Sequence, residues 1–190
     1  ELDDGGGPMR SAFTGDHGRK DLPILRDPER LPAVDYLITE STYGDRRHES
    51  RTDLENSLAD IVKEEQRDGG RILIPAFSVG RTQHVVLALG TLMRTGAVEK
   101  LPIYVDSPLS TRATKVMAQH AEVYDDETRG ILEAGRNPFF FDGVRYVADP
   151  EESKALNGMR NGVIISASGM CEAGRVLPVS YTHLRAHETR

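Results

Sequence analysis

The sequence predicts an α/β fold built on a parallel sheet, and three observations carry that prediction. Three short runs, Arg71 to Ala76, Leu101 to Asp106 and Gly162 to Ser166, are almost wholly apolar, the pattern of strands buried on both faces of a parallel sheet. The segments between them repeat apolar residues at helical spacing. Strand and helix alternate over this span, which implies right-handed βαβ units with helices on both faces of the sheet.

Each element has its own signal. From Thr52 to Val62, Leu54, Leu58, Ile61 and Val62 share a helical face, and Gly69-Gly70 should end that helix. The first buried strand follows at Arg71. A second helix, Thr82 to Arg94, sets Val85, Val86, Leu89 and Met93 on one side and stops at Gly96. Pro102 opens the next strand, where a missing N–H does least harm. Ser107-Pro108-Leu109 then leads into a helix over Ser110 to Val123, and Asp125 to Ala134 reads as another. A weaker strand is expected at Val144 to Val147 and a short helix at Glu151 to Leu156, before the third strong strand at Gly162. Phe139-Phe140-Phe141 reads as core or interdomain packing rather than a base-stacking platform.

At 190 residues the chain suffices for one well-buried domain, although Glu1 to Pro8, acidic and then Gly-rich, reads as a loop or a cut edge. Nothing there resembles a signal peptide, and no apolar run approaches a membrane span, so no membrane partner is expected. Cys171 is the single cysteine; it excludes an internal disulfide and a Cys-based zinc site, fits a reducing cytoplasm, and is expected as a small buried residue. The net charge of −6 excludes broad attraction to nucleic acid, so any RNA contact must be local.

The chemistry concentrates in two stretches, Phe13-Thr14-Gly15-Asp16-His17-Gly18 and Val34-Asp35-Tyr36-Leu37-Ile38-Thr39-Glu40-Ser41-Thr42-Tyr43-Gly44-Asp45-Arg46. Each places an acid at the end of an apolar run, where a short strand delivers a carboxylate to a sheet edge. On residue type alone, Asp16 after Gly15 also suits a turn, and Glu40 a helix cap or turn. The two motifs together resemble the metallo-β-lactamase-fold nucleases of the β-CASP group, which carry Thr/Ser-Gly-Asp and, some two dozen residues later, Glu-Ser/Gly-Thr-Tyr-Gly-Asp.

That resemblance implies the end of a metallo-β-lactamase (αββα) domain over residues 1–50, an inserted Rossmann-like β-CASP domain over 51–170, and a return toward the first domain over 171–177. It implies hydrolysis of RNA by two zinc ions bridged by Asp16, with Glu40 hydrogen-bonded to a His and aiding proton transfer to the leaving group. It further implies a cytoplasmic setting, RNA as partner, and a parent that a homodimer would also fit. The His-x-His-x-Asp-His motif of such sites is absent from this sequence, so the piece itself is expected to be inactive. A non-catalytic RNA- or protein-binding scaffold, or a hydrolase of a small ester or thioester, are the alternatives.

Three strand ends carry hydroxyl residues beside Gly or Arg: Phe77-Ser78-Val79-Gly80-Arg81, Asp106-Ser107-Pro108-Leu109-Ser110 and Ser166-Ala167-Ser168-Gly169-Met170. In an open parallel sheet such carboxyl-end loops hold ligands against helix N-termini. Ser78, Arg81, Ser107, Ser166 and Ser168 are therefore candidate phosphate contacts, with Arg81 offering a planar charged fork. Helix capping by Ser78, Ser107 and Ser168, and an ion pair for Arg81, are the competing uses. His17, His48, His84 and His120 receive no role.

His183 and His187 stand four apart in Val179 to Thr189, a spacing suited to zinc. The stretch, however, resembles the translation of adapter DNA used in transposase-based sequencing libraries. Natural sequence is accordingly expected to stop near Leu177, with 178–190 a non-native tail.

Overall fold

A computed structural model describes residues 2–3, 8–18, 20–47, 50–171 and 174–177. His48 and the 178–190 tail with His183 and His187 lie outside the described residues.

The chain opens with β1 (Leu2–Asp3) paired antiparallel to β2 (Pro8–Met9), then β3 (Ser11–Phe13) paired parallel to β4 (Tyr36–Ile38). Helix α1 (Arg51–Asp68) begins where the Ser50 side chain accepts the Asp53 N–H, and it ends at Gly69, whose φ of +66° is the left-handed cap that glycine adopts without strain. Next come β5 (Arg71–Pro75), α2 (Arg81–Arg94), β6 (Ile103–Asp106) and α3 (Pro108–Gln119). The rest is α4 (Asp126–Glu133), β7 (Val144–Val147), α5 (Pro150–Ala155) and β8 (Gly162–Ser166).

The last four strands form one parallel sheet in the order β5-β8-β6-β7. Its register sends Ile72, Ile74, Ile103, Val105, Val163 and Ile165 to one face, where they pack with Ala59 and Val62 of α1 and Val86, Leu89 and Leu92 of α2. Leu73, Tyr104, Ile164 and Val147 point the other way, beneath Leu156 and Met159. The two faces are unequal. The long helices cover one, and among the described residues α5, the 3₁₀ turn Leu156–Gly158 and Met159 cover the other.

Three expectations need correction. β5 is half-buried rather than buried on both faces, because it takes an edge of the sheet while β8, at its centre, is buried throughout. Cys171 is exposed, set at φ +56° in the turn beyond β8 rather than in the core. The helix expected to reach Val123 stops at Gln119. Residues beyond it form the 3₁₀ turn Ala121–Val123 and then extend, so that Arg26 N–H reaches Val123 O at 3.1 Å and Asp125 N–H reaches Ile24 O at 2.8 Å.

This pairing anchors the amino-terminal segment. Ile24, buried with Leu87, Tyr124 and Phe139, gives its N–H to Asp125 Oδ2 at 3.0 Å, while Asp125 Oδ1 accepts the Thr128 N–H at 2.7 Å and caps α4. Among the described residues no helix is long and apolar enough to cross a membrane. Asp125→Ala removes both bonds. The lost cap alone should lower stability by about 1 kcal/mol, and hydrogen exchange at the Ile24 amide should accelerate while β8 amides keep their protection. Unchanged exchange at Ile24 would contradict the anchor.

Candidate active site

The parallel pairing of Ser11 with Tyr36, Ala12 with Leu37 and Phe13 with Ile38 runs on as Thr14 N–H donates to Ile38 O at 3.0 Å. Because the strands are parallel, both carboxyl ends leave the ladder on the same side. Asp16 follows β3 through Gly15, whose φ of +58° turns the chain, and Glu40 lies two residues beyond β4. They line one open hollow of about 530 Å³ with His17, Ser41, Thr42, Tyr43 and Gly44. A Cβ at Gly44, in the turn over Thr42 to Asp45, would displace the Ser41 hydroxyl.

Glu40 is fixed by two donors. The Thr42 hydroxyl reaches Oε2 at 2.6 Å and the His17 backbone N–H reaches Oε1 at 3.0 Å. These bonds, Thr42 first, hold the carboxyl below its ordinary value of 4.5. The histidine that bonds Glu40 therefore does so through its main chain, while its ring Nδ1 lies 3.3 Å from Gly18 O. The Asp16 side chain is exposed and carries no hydrogen bond among the described residues.

A catalytic zinc takes three protein ligands or more. Among the described residues no group of three His, Cys, Asp or Glu side chains could hold a metal ion. With both Glu40 oxygens engaged, Asp16 and the His17 ring are the metal-ligating side chains of the hollow with an atom to spare, short of the three a zinc takes. The described residues thus do not make a metal site by themselves.

The three carboxyl-end loops are neighbours because β5, β8 and β6 are. Ser78 Oγ lies 3.2 Å from Ser107 Oγ, and Ala76 N–H donates to Ser166 O at 3.0 Å. Their hydroxyls differ in use. Ser107 is buried and caps α3 by accepting the Ser110 N–H at 3.1 Å. Ser166 is buried with an unpartnered Oγ. Ser168 Oγ accepts the Met170 N–H at 3.3 Å, and Ser78, half-buried, is no cap, since Gly80 takes that position for α2 without a side-chain bond. Arg81, exposed at the start of α2, has no acid partner among the described residues. Ser78, Ser168 and Arg81 are reachable by a ligand; Ser107 and Ser166 lie beneath them.

Sequence reasoning missed two polar features of this end. Asp106, fully buried, is held by Arg175 Nη1 at 2.8 Å and by the Ser153 hydroxyl at 2.7 Å, and Arg175 Nη2 also donates to Ala148 O at 2.8 Å. The signal was available, since Asp106 ends an apolar run just as Asp16 and Glu40 do. Gln83, fully buried, donates to Thr114 Oγ1 at 2.9 Å and Ser78 O at 3.1 Å, tying α2 to α3 and to the β5 loop. Its place one turn before Leu87 on an apolar helix face was the clue.

Since Glu40 is depressed by its donors, its anchoring is present above the unfolded-state value and is lost as pH falls through the lower folded-state value. By carbon-detected NMR titration Glu40 should ionise below 4.5. Thr42→Val should move its midpoint upward, toward that ordinary value; no movement would remove Thr42 as the main cause.

Against known proteins, the family model described as Beta-Casp domain matches residues 82–188 of the 190. The chain is 32% identical over 166 residues to Ribonuclease TTHA0252 of Thermus thermophilus, covering 87% of this chain and 38% of that protein. It is 33% identical to Endoribonuclease ysh1 of Schizosaccharomyces pombe, covering 85% and 21%, and 31% identical to Transcription termination factor FttA of Methanothermobacter thermautotrophicus, covering 91% and 28%. The chain therefore spans less than two-fifths of the length of these relatives. With more than half of its residues inside the family match, and strands in one parallel sheet crossing through helices, it belongs to the Beta-Casp domain family.

Proposed function

We propose that this chain is part of a metal-dependent ribonuclease that hydrolyses RNA phosphodiester bonds, with zinc as the metal and two ions in the complete site. The observation that carries the reading is the parallel β3–β4 pair, which sets Asp16 and Glu40 into one hollow. The names of two relatives, a ribonuclease and an endoribonuclease, support it. So does the family itself, through the metal dependence that its hydrolases share. The domain division at about residues 50 and 170 and a cytoplasmic setting belong to the same reading.

In this reading each residue acts through what surrounds it. Asp16, exposed and unbonded, is the carboxylate free to become a metal ligand. Bound metal would supply a nucleophile at neutral pH and a counter-charge for phosphate oxygens. Glu40 is kept ionised by Thr42 and His17, so it enters the reaction as a proton acceptor and can return that proton to the departing oxygen. Arg81, with Ser78 and Ser168 nearby in the fold, grips backbone phosphate. In a chain of net charge −6, such local contacts must carry the affinity.

The test uses the longer protein that contains this chain. Asp16→Ala should abolish RNA cleavage and lower bound metal. Arg81→Ala should keep the metal, raise KM by roughly tenfold to a hundredfold for the loss of a charged hydrogen bond, and flatten the salt dependence of binding by about one phosphate. Full cleavage and full metal content in Asp16→Ala would overturn the metal role. Parental KM and salt slope in Arg81→Ala would make Arg81 structural.

A further inference from the structure

The amino end of the large sheet carries a second cavity, of about 370 Å³, between the end of α2 and the 135–142 loop. Lys100 and Asp142 precede β6 and β7 there, so it lies at the opposite end of the strands from the loops of Ser78, Ser107 and Ser168. Arg94, Arg136 and Lys100 line it with the single acid Asp142, which Lys100 approaches to 3.8 Å at full exposure. The other two cations lack a carboxylate at salt-bridge distance among the described residues. Arg94 donates to the Thr91 hydroxyl at 2.7 Å, and the Arg136 side chain has no hydrogen-bond or ion-pair partner among the described residues. They repel each other: burial and then the charge of Arg136 push the Arg94 guanidinium below its ordinary value, against a smaller opposing pull from Glu127, which lies beyond salt-bridge distance.

Beside these charges stands an aromatic surface held in place by its own loop. Asn137 Oδ1 accepts the N–H groups of Phe139 and Phe140, both at 2.9 Å. Phe139 is core, as expected for the whole triplet, but Phe140 is 37% exposed and Phe141 half-buried. The Phe140 ring rests on Tyr146 at 5.0 Å, and the Tyr146 hydroxyl donates to Phe139 O at 3.0 Å. Gly90 completes the floor. A Cβ there would sit 2.8 Å from the Phe141 ring and 3.1 Å from Arg94 Nη1, so its absence lets ring and guanidinium share one niche.

We propose that this cavity binds a nucleotide, its phosphate held between Arg94 and Arg136 and its base laid against Phe140. Two unneutralised guanidiniums side by side are a site for a phosphate group, whose oxygens match their forks and relieve their repulsion. An exposed ring at the edge of the same cavity gives a base a stacking surface, and the volume falls within the range of small-ligand sites. The nucleotide is either free or one unit of a single RNA strand. The inference does not depend on the ribonuclease reading, because it uses none of the residues assigned there.

Calorimetric titration of this chain tests it with four probes: 5′-AMP, inorganic phosphate, adenosine, and a single-stranded RNA hexamer with hydroxyl ends. 5′-AMP should bind more tightly than phosphate or adenosine. Arg136→Ala should weaken 5′-AMP and phosphate alike by about tenfold, the value of one modest charged contact. Arg136→Lys should restore part of that loss. Phe140→Leu should weaken 5′-AMP and leave phosphate unchanged, and Lys154→Ala, at an exposed cation outside both sites, should leave both at parental affinity. Binding of the hexamer with the same Arg136 dependence assigns the site to an RNA strand; binding of 5′-AMP alone assigns it to a free nucleotide. The proposal is overturned if 5′-AMP binds no better than its two parts, if neither Arg136→Ala nor Phe140→Leu weakens it, or if Lys154→Ala weakens it as much as Arg136→Ala.

Discussion

The carboxylate of Asp125 is the constraint on which the arrangement of the chain rests. One oxygen starts α4 by accepting the Thr128 N–H, and the other receives the N–H of Ile24, a hundred residues away in sequence. A neutral side chain could cap the helix, but it would not offer two acceptors aimed at separate segments. Ile24 is held at φ +82°, a conformation a β-branched residue adopts only when its surroundings require it. Burial of its side chain with Leu87, Tyr124 and Phe139 supplies that requirement. Arg51 reinforces the same corner, pairing with Glu127 at 2.8 Å to bring the start of α1 against α4. The segment bearing Asp16 and Glu40 is thereby joined to the helical layer of the large sheet.

Strand order governs what the rest of the molecule can do. Placing β8 between β5 and β6 brings the last strand in sequence to the centre, and its carboxyl end falls beside those of β5 and β6. Residues separated by sixty or more positions then meet at one end of the sheet, Asp106 and Arg175 among them. A buried carboxylate of this kind is costly to leave unpaired. Its ion pair with Arg175 and its bond from Ser153 therefore fix the turn beyond β8 against the start of α5.

Much of this was legible in the sequence, and the exceptions have physical causes. The long helices α1 and α2 and the strands β6 and β8 show as periodicity or as apolar runs, because those elements bury side chains against one another. The end of α3 did not show, since pairing with residues 24–26 overrides a helical pattern that continues to Val123. Burial at the sheet edge did not show either. Ile72, Leu73 and Ile74 are as apolar as the residues of β8, and only topology makes them half-exposed. Asp16 and Glu40 were visible as acids ending apolar runs. What anchors Glu40 was not, because a backbone N–H leaves no mark in a sequence. Phe139 to Phe141 show the same limit in reverse: three identical residues take one buried, one exposed and one half-buried position.

The β3–β4 ladder carries a further consequence for how the chain behaves in bulk. Two short strands are marginal as a sheet, and here Phe13, Tyr36, Leu37 and Ile38 all remain 49–73% exposed. Apolar side chains on a ladder whose outer edges are unpaired among the described residues present a template onto which another chain can add. Colloidal behaviour should accordingly be set by this small region rather than by the well-packed larger sheet. The excess of acidic residues then acts as the counterweight, since mutual repulsion between like-charged molecules is what keeps two such edges apart, and added salt screens it.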